Sequence, residues 1–553
     1  MTMKTISIDG ATFLAMAKQG AARLFANRQA INDLNVFPIP DGDTGDNMYM
    51  TISSGCQCGS SLPEGAGLGD MAGKISSGML LGARGNSGVI LSRIFAGIAK
   101  GLADCTQTGV DGFSAAMGCG VKEAYGAVSS PVEGTILTVL RESVESASSD
   151  TFEGYFESLV EAMKISLDHT PDKLAVLREA GVVDSGGAGM LCIAEGMGEA
   201  LRGVRTDVPQ AEPQSGKAQL NLDNFGPDTP FDYGYCTEFL LRLRSDKVDI
   251  DSFDERTVKD YLCSVGESVV CFRDGSIIKV HVHTRTPGDI LSHVQRWGEF
   301  LSVKIENMTL QHSEVTIQDN FQPKVERESF VKRKKYGVVA VASGAGLISA
   351  FREAGVDCVI EGGQTMNPAA RDFIDAFDRV GAETIFVFPN NSNIIMTAQQ
   401  AASMYKDSEI VVIPSKDPGA GYVAAAALDT GSRDTDLIRQ SAVEAMDGVT
   451  TALVSRANRS TLKNGIIVRE GDYIGFAGGE VLCTSPDRNE AALKLASKLN
   501  VGDHDVAIVF SGCDTGRAEA DGLCKALQDA NSMTEIINNA GDQPVYDYII
   551  VLC

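Results

Sequence analysis

From Asp9 to about Gly203 apolar side chains recur at three- and four-residue intervals, as with Leu14, Ala17, Ala21, Leu24 and Phe25. This spacing gathers them on one helical face, and Asp9 stands where it can cap the first run. An all-α domain is expected over 1–205. The stretch 206–230 is polar, aperiodic and carries Pro209, Pro213, Pro227 and Pro230, which marks a linker. The pattern then shortens. Runs at Ser268–Phe272 and Ile277–His283 flank the turn signal Arg273-Asp274-Gly275, predicting a small central α/β domain over 231–317. A second polar stretch, 318–335, ends in four basic residues, Lys332 to Lys335, and reads as a solvated linker end. Beyond Tyr336 the apolar runs Val338–Ala342, Cys358–Ile360, Ile385–Phe388 and Ile410–Ile413 alternate with helical segments. Parallel strands with crossover helices are expected over 336–553, and the class is multidomain, α plus α/β.

Composition narrows the functions. At 553 residues the chain is too long for one core, and a net charge of -25 sets its surface against nucleic acid and anionic bilayers. Thirteen scattered cysteines fit a reducing cytoplasm better than a disulfide framework. No stretch sustains about 18 apolar residues, and the first residues lack a signal-peptide pattern, so neither export nor a membrane span is expected.

The densest chemistry lies in Asn35-Val-Phe-Pro-Ile-Pro-Asp41-Gly-Asp43-Thr-Gly-Asp46-Asn47-Met48. Two prolines break the preceding helix, Gly42 and Gly45 permit unusual backbone angles, and three carboxylates gather within six positions. Such a loop can offer magnesium a few carboxylates beside substrate phosphate oxygens. The same spacing also suits a turn with helix-capping aspartates, or half of a calcium loop whose closing glutamate is missing. Downstream lie Gly82-Ala-Arg84-Gly85-Asn86-Ser87-Gly88, Pro131-Val-Glu133-Gly134-Thr135-Ile136 and Gly181-Val-Val-Asp184-Ser185-Gly186-Gly187. Each puts small residues and a hydroxyl at an expected helix N-terminus, where free amides attract phosphate, although glycines between helices commonly serve only a tight turn. No Walker loop or dinucleotide fingerprint is present.

In this order the segments resemble the nucleotide-binding L-subunit domain of the dihydroxyacetone kinase family, and more closely the ATP-binding subunit of fatty acid kinases. The resemblance implies an eight-helix barrel holding ATP through two magnesium ions. Carried over by position, it implies Asp41 and Asp43 as catalytic metal ligands, with Asn35 near a further ligand position. Nucleotide contacts would come from Thr44, Asn47, Ser87, Gly88, Thr135 and Asp184. The family's Thr-Gly-Thr-Asn reads Thr44-Gly45-Asp46-Asn47 here, where Asp46 is either an extra metal-side carboxylate or a helix cap, and the cap is favoured.

In the central domain His281 and His283 stand two apart on an expected strand and so share a face, with Cys236 as a third soft ligand. Two imidazoles and a thiolate suit zinc, though a His-x-His pair can equally be ordinary strand surface. The family resemblance implies one zinc ion at these three positions, with His281 a candidate for handling an acyl phosphate. In the C-terminal region Glu361 to Pro368, Phe388 to Asn393 and Gly471 to Gly475 look like family signatures, which implies engagement of a separate fatty-acid-binding carrier. Polar turns with capping asparagines explain the first two segments as well. The expected reaction moves phosphate from ATP to a fatty carboxylate. A dihydroxyacetone-type kinase and a non-catalytic nucleotide sensor stay open, as does a homodimer.

Overall fold

The computed structural model describes residues 4–553 except 36–41, 129, 205–234, 246, 251–252, 255, 266, 275, 308–332, 365, 433 and 464. Asp41 and almost all of both expected linkers thus lie outside the described residues. Two compact units result, Met1–Pro213 with Lys332–Cys553, and Gln214–Val331.

In the N-terminal part of the larger unit a short antiparallel pair, β1 (Ser7–Asp9) and β2 (Gln107–Gly109), accompanies eight long helices among the described residues. These are α1 (Gly10–Asn32), α2 (Thr44–Gly59), α3 (Leu68–Gly82), α4 (Gly85–Gly101), α5 (Val110–Ala127), α6 (Ile136–Ser146), α7 (Phe152–Asp168) and, after the short α8 (Thr170–Lys173) and α9 (Ala175–Ala180), α10 (Ser185–Leu201). Asp9 caps α1 as expected, accepting from the Thr12 amide at 2.9 Å. Each long helix packs on its sequence neighbour, and α10 closes the ring on α1. Buried aromatic side chains, among them Phe13, Phe113, Phe152 and Tyr155, fill the middle. In a ring of antiparallel neighbours alternate helices start at the same rim, which brings the N-termini of α2, α4, α6 and α10 together.

The smaller unit has a four-stranded antiparallel sheet in the order β4-β5-β3-β6, from β3 (Tyr235–Leu243), β4 (Glu267–Asp274), β5 (Ile277–Thr284) and β6 (Gly298–Asn307). Helices Arg256–Val265 and Pro287–Val294 supply Val258, Leu262 and Ile290 to a core shared with Phe239, Ile278, Val280 and Val282.

The C-terminal part of the larger unit holds two sheets. Strands β7 (Tyr336–Ala342), β8 (Cys358–Glu361), β9 (Thr384–Phe388) and β10 (Glu409–Val412) form the expected parallel sheet, ordered β10-β9-β7-β8. Every residue of β7 is buried, as a central strand covered on both faces requires. Then come β11 (Thr450–Arg456), a hairpin of β12 (Thr461–Lys463) and β13 (Ile466–Val468), β14 (Tyr473–Ala477), β15 (Glu480–Ser485), β16 (Val506–Ser511), β17 (Glu535–Ala540) and β18 (Tyr546–Leu552). The second sheet, β15-β14-β11-β18-β16-β17, is parallel only between β16 and β17. Short turns, such as Gly478-Gly479 between β14 and β15, can join only antiparallel neighbours. Among the described residues no helix is long and apolar enough to cross a membrane.

Candidate functional site

The four gathered N-termini open onto a cavity of about 500 Å³. Asp43 and Thr44 enter it from α2, Asn86 and Ser87 from α4, Thr135 and Ile136 from α6, and Asp184 to Gly186 from α10. The N-terminal turn of a helix carries a partial positive charge, so four such turns at one cavity favour an anionic ligand. Apolar side chains of Ile90, Val128, Val132 and Leu137 line it as well, and the helix Ser392–Met404 of the C-terminal part adds Asn393 and Met396. Among the described residues no lysine or arginine lines the cavity.

The hydrogen bonds knit these termini together. The Asn35 side-chain oxygen accepts from Thr44 Oγ1 at 3.0 Å and Ser185 Oγ at 2.9 Å, joining the loop before α2 to the start of α10. Asp184 caps α10, accepting from the Gly187 amide at 2.7 Å. Burial pushes its carboxyl up to about 6, and bonds from the Gly187 and Ile136 amides hold it below where burial alone would put it. Asp43 occupies the N-cap position of α2 without capping through its side chain; instead its Oδ2 accepts from Asn367 Nδ2 at 2.5 Å. Arg459, just before β12, donates to the Asn35 carbonyl at 2.6 Å. Further along α4, Arg93 Nε donates to Gln400 Oε1 at 3.1 Å, and Gln400 Nε2 donates to the Leu80 carbonyl at 2.7 Å.

Of the residues singled out from sequence, Asn35, Asp43, Thr44, Asn47, Ser87, Thr135 and Asp184 line this one cavity. Gly88 does not line it, and its amide is donated to the Arg84 carbonyl within the helix. Asp46 is not the cap. It sits in the first turn of α2, accepting from Asn32 Nδ2 at 2.6 Å and pairing with Arg28 at 3.4 Å. Gly45 serves close approach rather than unusual dihedrals: a Cβ there would lie 2.4 Å from the Arg28 carbonyl oxygen. Sequence reasoning missed Asn86, Ser185, Asn393 and the partners Asn367 and Arg459. Ser185 was within reach, as the neighbour of a capping aspartate, and Asn86, Asn367 and Asn393 stand inside segments already singled out, but nothing local marks their part in this site or any role for Arg459.

Family models match most of the chain. Residues 38–199 match the DAK2 domain, 232–315 the FakA-like middle domain of fatty acid kinases, and 337–552 the corresponding FakA-like C-terminal domain. Protein YloV of Bacillus subtilis is 36% identical across 99% of this chain and 100% of its own length. The chain belongs to the FakA-like fatty acid kinase family. An uncharacterized Staphylococcus epidermidis member is 35% identical over 99% of both chains.

Among solved structures, the dihydroxyacetone kinase from C. freundii in complex with AMP-PNP and Mg2+ gives a TM-score of 0.28 at 18% identity, covering 36% of this chain and 35% of that one. DegV, a fatty acid binding protein from Bacillus subtilis, gives 0.30 at 13% identity, covering 40% and 99%. Scores this low carry no argument about ligand or partner.

In the smaller unit of this family member, backbone register sets Cys236 opposite His283 and Glu238 opposite His281. Opposed antiparallel residues share a face, so positions 236, 281 and 283 fall on the face away from buried Val280 and Val282. The side chains of Cys236, His281 and His283 lie outside the described residues. No cluster of metal-binding side chains occurs among the described ones.

Proposed function

We propose that this protein is the ATP-binding, phosphoryl-transferring component of a fatty acid kinase, acting on a fatty acid presented by a separate fatty-acid-binding protein and yielding an acyl phosphate. The observation that carries this reading is the rim where four helix N-termini meet Asp43, Asn35 and hydroxyl groups around a cavity with no basic side chain among the described residues. A triphosphate there would meet partial positive charge from the helix ends but no full cation from those residues. Hard oxygen donors and aspartates fit magnesium, and Asp43, Asn35 and, outside the described residues, Asp41 are the groups we assign to hold two such ions. When bound, they would neutralise the phosphates during transfer.

The chain's own residues divide the remaining tasks. The apolar side chains Ile90, Val128, Val132 and Leu137 suit the base, Ser87 offers its hydroxyl to phosphate oxygens, and Thr44 and Thr135 would do so by exchanging the bonds they now donate to Asn35 and the Val132 carbonyl. Asn47, buried behind Gly85, and the Gly88 turn hold the start of α4 against α2. Asp184 orients α10 against α6. A carboxylate acceptor, ionised above about pH 4.3, needs no general base, so alignment and charge stabilisation dominate. We assign Cys236, His281 and His283 to one zinc ion, with His281 a candidate for contact with the acyl phosphate; the shared face of these positions supports it.

The test mixes the purified protein with a purified fatty-acid-binding protein loaded with oleate or palmitate and follows ADP release and hydroxylamine-trapped acyl phosphate. Transfer should need the carrier, with little turnover on detergent-dispersed fatty acid alone. Turnover on dihydroxyacetone without any on the loaded carrier would replace this reading with a dihydroxyacetone-type kinase, and nucleotide binding with no transfer would make the chain a sensor.

A further inference from the structure

The loop after β8 makes a contact that its own sequence does not reveal. Asn367 is 2% exposed, and its Nδ2 donates to Asp43 Oδ2 at 2.5 Å across 324 positions of chain. Its position is fixed from the helical ring: Arg84 Nη1 donates to the Asn367 carbonyl at 2.8 Å, the Ala370 amide to the Ala83 carbonyl at 3.2 Å, and Arg84 and Ala369 form an isolated antiparallel bridge. Gly85, at φ +57, lets the two parts approach; a Cβ there would lie 2.7 Å from Asn47 Nδ2 and 3.1 Å from Asn367 Nδ2. Asn367 Oδ1 is buried and has no hydrogen-bond partner among the described residues.

We propose that Asn367 is a positioning residue, through which the C-terminal α/β part completes the nucleotide site by fixing the Asp43 carboxylate; this rests on the nucleotide reading above. A carboxylate has lone pairs for several partners, so an amide donor can hold its rotamer while the group still takes a cation. The choice of side chain fits that task. A lysine or arginine at 367 would neutralise Asp43 and repel the cation, and an aspartate would repel the carboxylate, whereas a neutral amide donates without adding charge.

The experiment uses the full chain and calorimetric titration with ATP, in Mg2+ and separately in EDTA. Asn367→Leu keeps roughly the volume and removes the donor. It should weaken binding in Mg2+ about 10-fold and leave binding in EDTA unchanged, since a hydrogen bond to a charged group is lost only where that charge is used. In an Asp43→Ala background the same substitution should add nothing. Should Asn367→Leu fail to fold, Asn367→Ser, too short to reach Asp43, goes through the same titrations. Wild-type affinity in Mg2+, equal weakening in both buffers, or an undiminished effect beside Asp43→Ala would each overturn the role. A wild-type chain that binds no ATP, or Asp43→Ala binding as wild type does in Mg2+, would instead overturn the nucleotide reading beneath it.

Discussion

Gly45→Ala should separate the geometry of the site from its chemistry, because it adds one methyl group and no charge. The new Cβ would lie 2.4 Å from the Arg28 carbonyl oxygen, 2.9 Å from its Cα and 3.0 Å from its carbonyl carbon. All three are backbone atoms, so no side chain can rotate away. Relief to an ordinary separation of about 3.4 Å requires the start of α2 to shift by roughly 1 Å from α1. That shift also strains the bond from the Gly45 amide to Asn32 Oδ1, now 2.7 Å, and carries Asp43 and Thr44 with it. Overpacking of this size costs about 1–3 kcal/mol, and misplacing site groups by about 1 Å costs on the order of 10²-fold in rate. Denaturant unfolding reads the first figure and carrier-dependent ADP release the second. Gly73→Ala is the control: in mid-α3, with no described heavy atom within 4 Å of its Cβ, it should leave turnover alone and stabilise by up to about 1 kcal/mol. Gly45→Ala with wild-type turnover and ATP affinity would refute the reasoning.

Two other outcomes are expected. Burial raises the Asp184 carboxyl from 3.8 to about 6 in the folded chain, so folding favours its protonated form. That contribution is complete below about pH 4 and lost as pH rises through about 6, roughly 3 kcal/mol in all. Asp184→Asn should remove this part of the pH dependence in unfolding experiments between about pH 4 and 7, and an unchanged slope would count against the burial argument. Elemental analysis of protein purified without chelators should find about one zinc per chain, released by Cys236→Ser or His281→Ala with earlier melting of the middle domain. Zinc-free protein would return the paired histidines to ordinary strand surface.

Local features were legible in the sequence and long-range ones were not. Asp9 as a cap, the four strands from Val338 to Ile413 and the helix starts at Thr44, Gly85 and Ser185 follow from period and capping chemistry, which act over a few residues. Convergence of the candidate nucleotide residues could be expected only through family resemblance, since nothing in each motif says that the helices close into a ring. The mixed second sheet was hidden because composition does not encode strand direction. Asp46 misled because an aspartate in a first turn and one at an N-cap have nearly the same sequence setting; the choice fell to Asn32 and Arg28 on α1. Asn367 and Arg459 reach back hundreds of positions, and no periodicity reports such a contact.

The central claim, that Asp43 at the meeting of four helix N-termini serves phosphoryl transfer from ATP, is tested most directly by Asp43→Ala. The measurement is transfer of labelled γ-phosphate to carrier-bound oleate in saturating Mg2+, alongside a melting curve. The Asp43 carboxylate is not the side-chain cap of α2, so the fold should persist. A loss on the order of 10²-fold or more in transfer is expected, with cooperative melting retained. Near-wild-type transfer by a well-folded Asp43→Ala protein would contradict the claim.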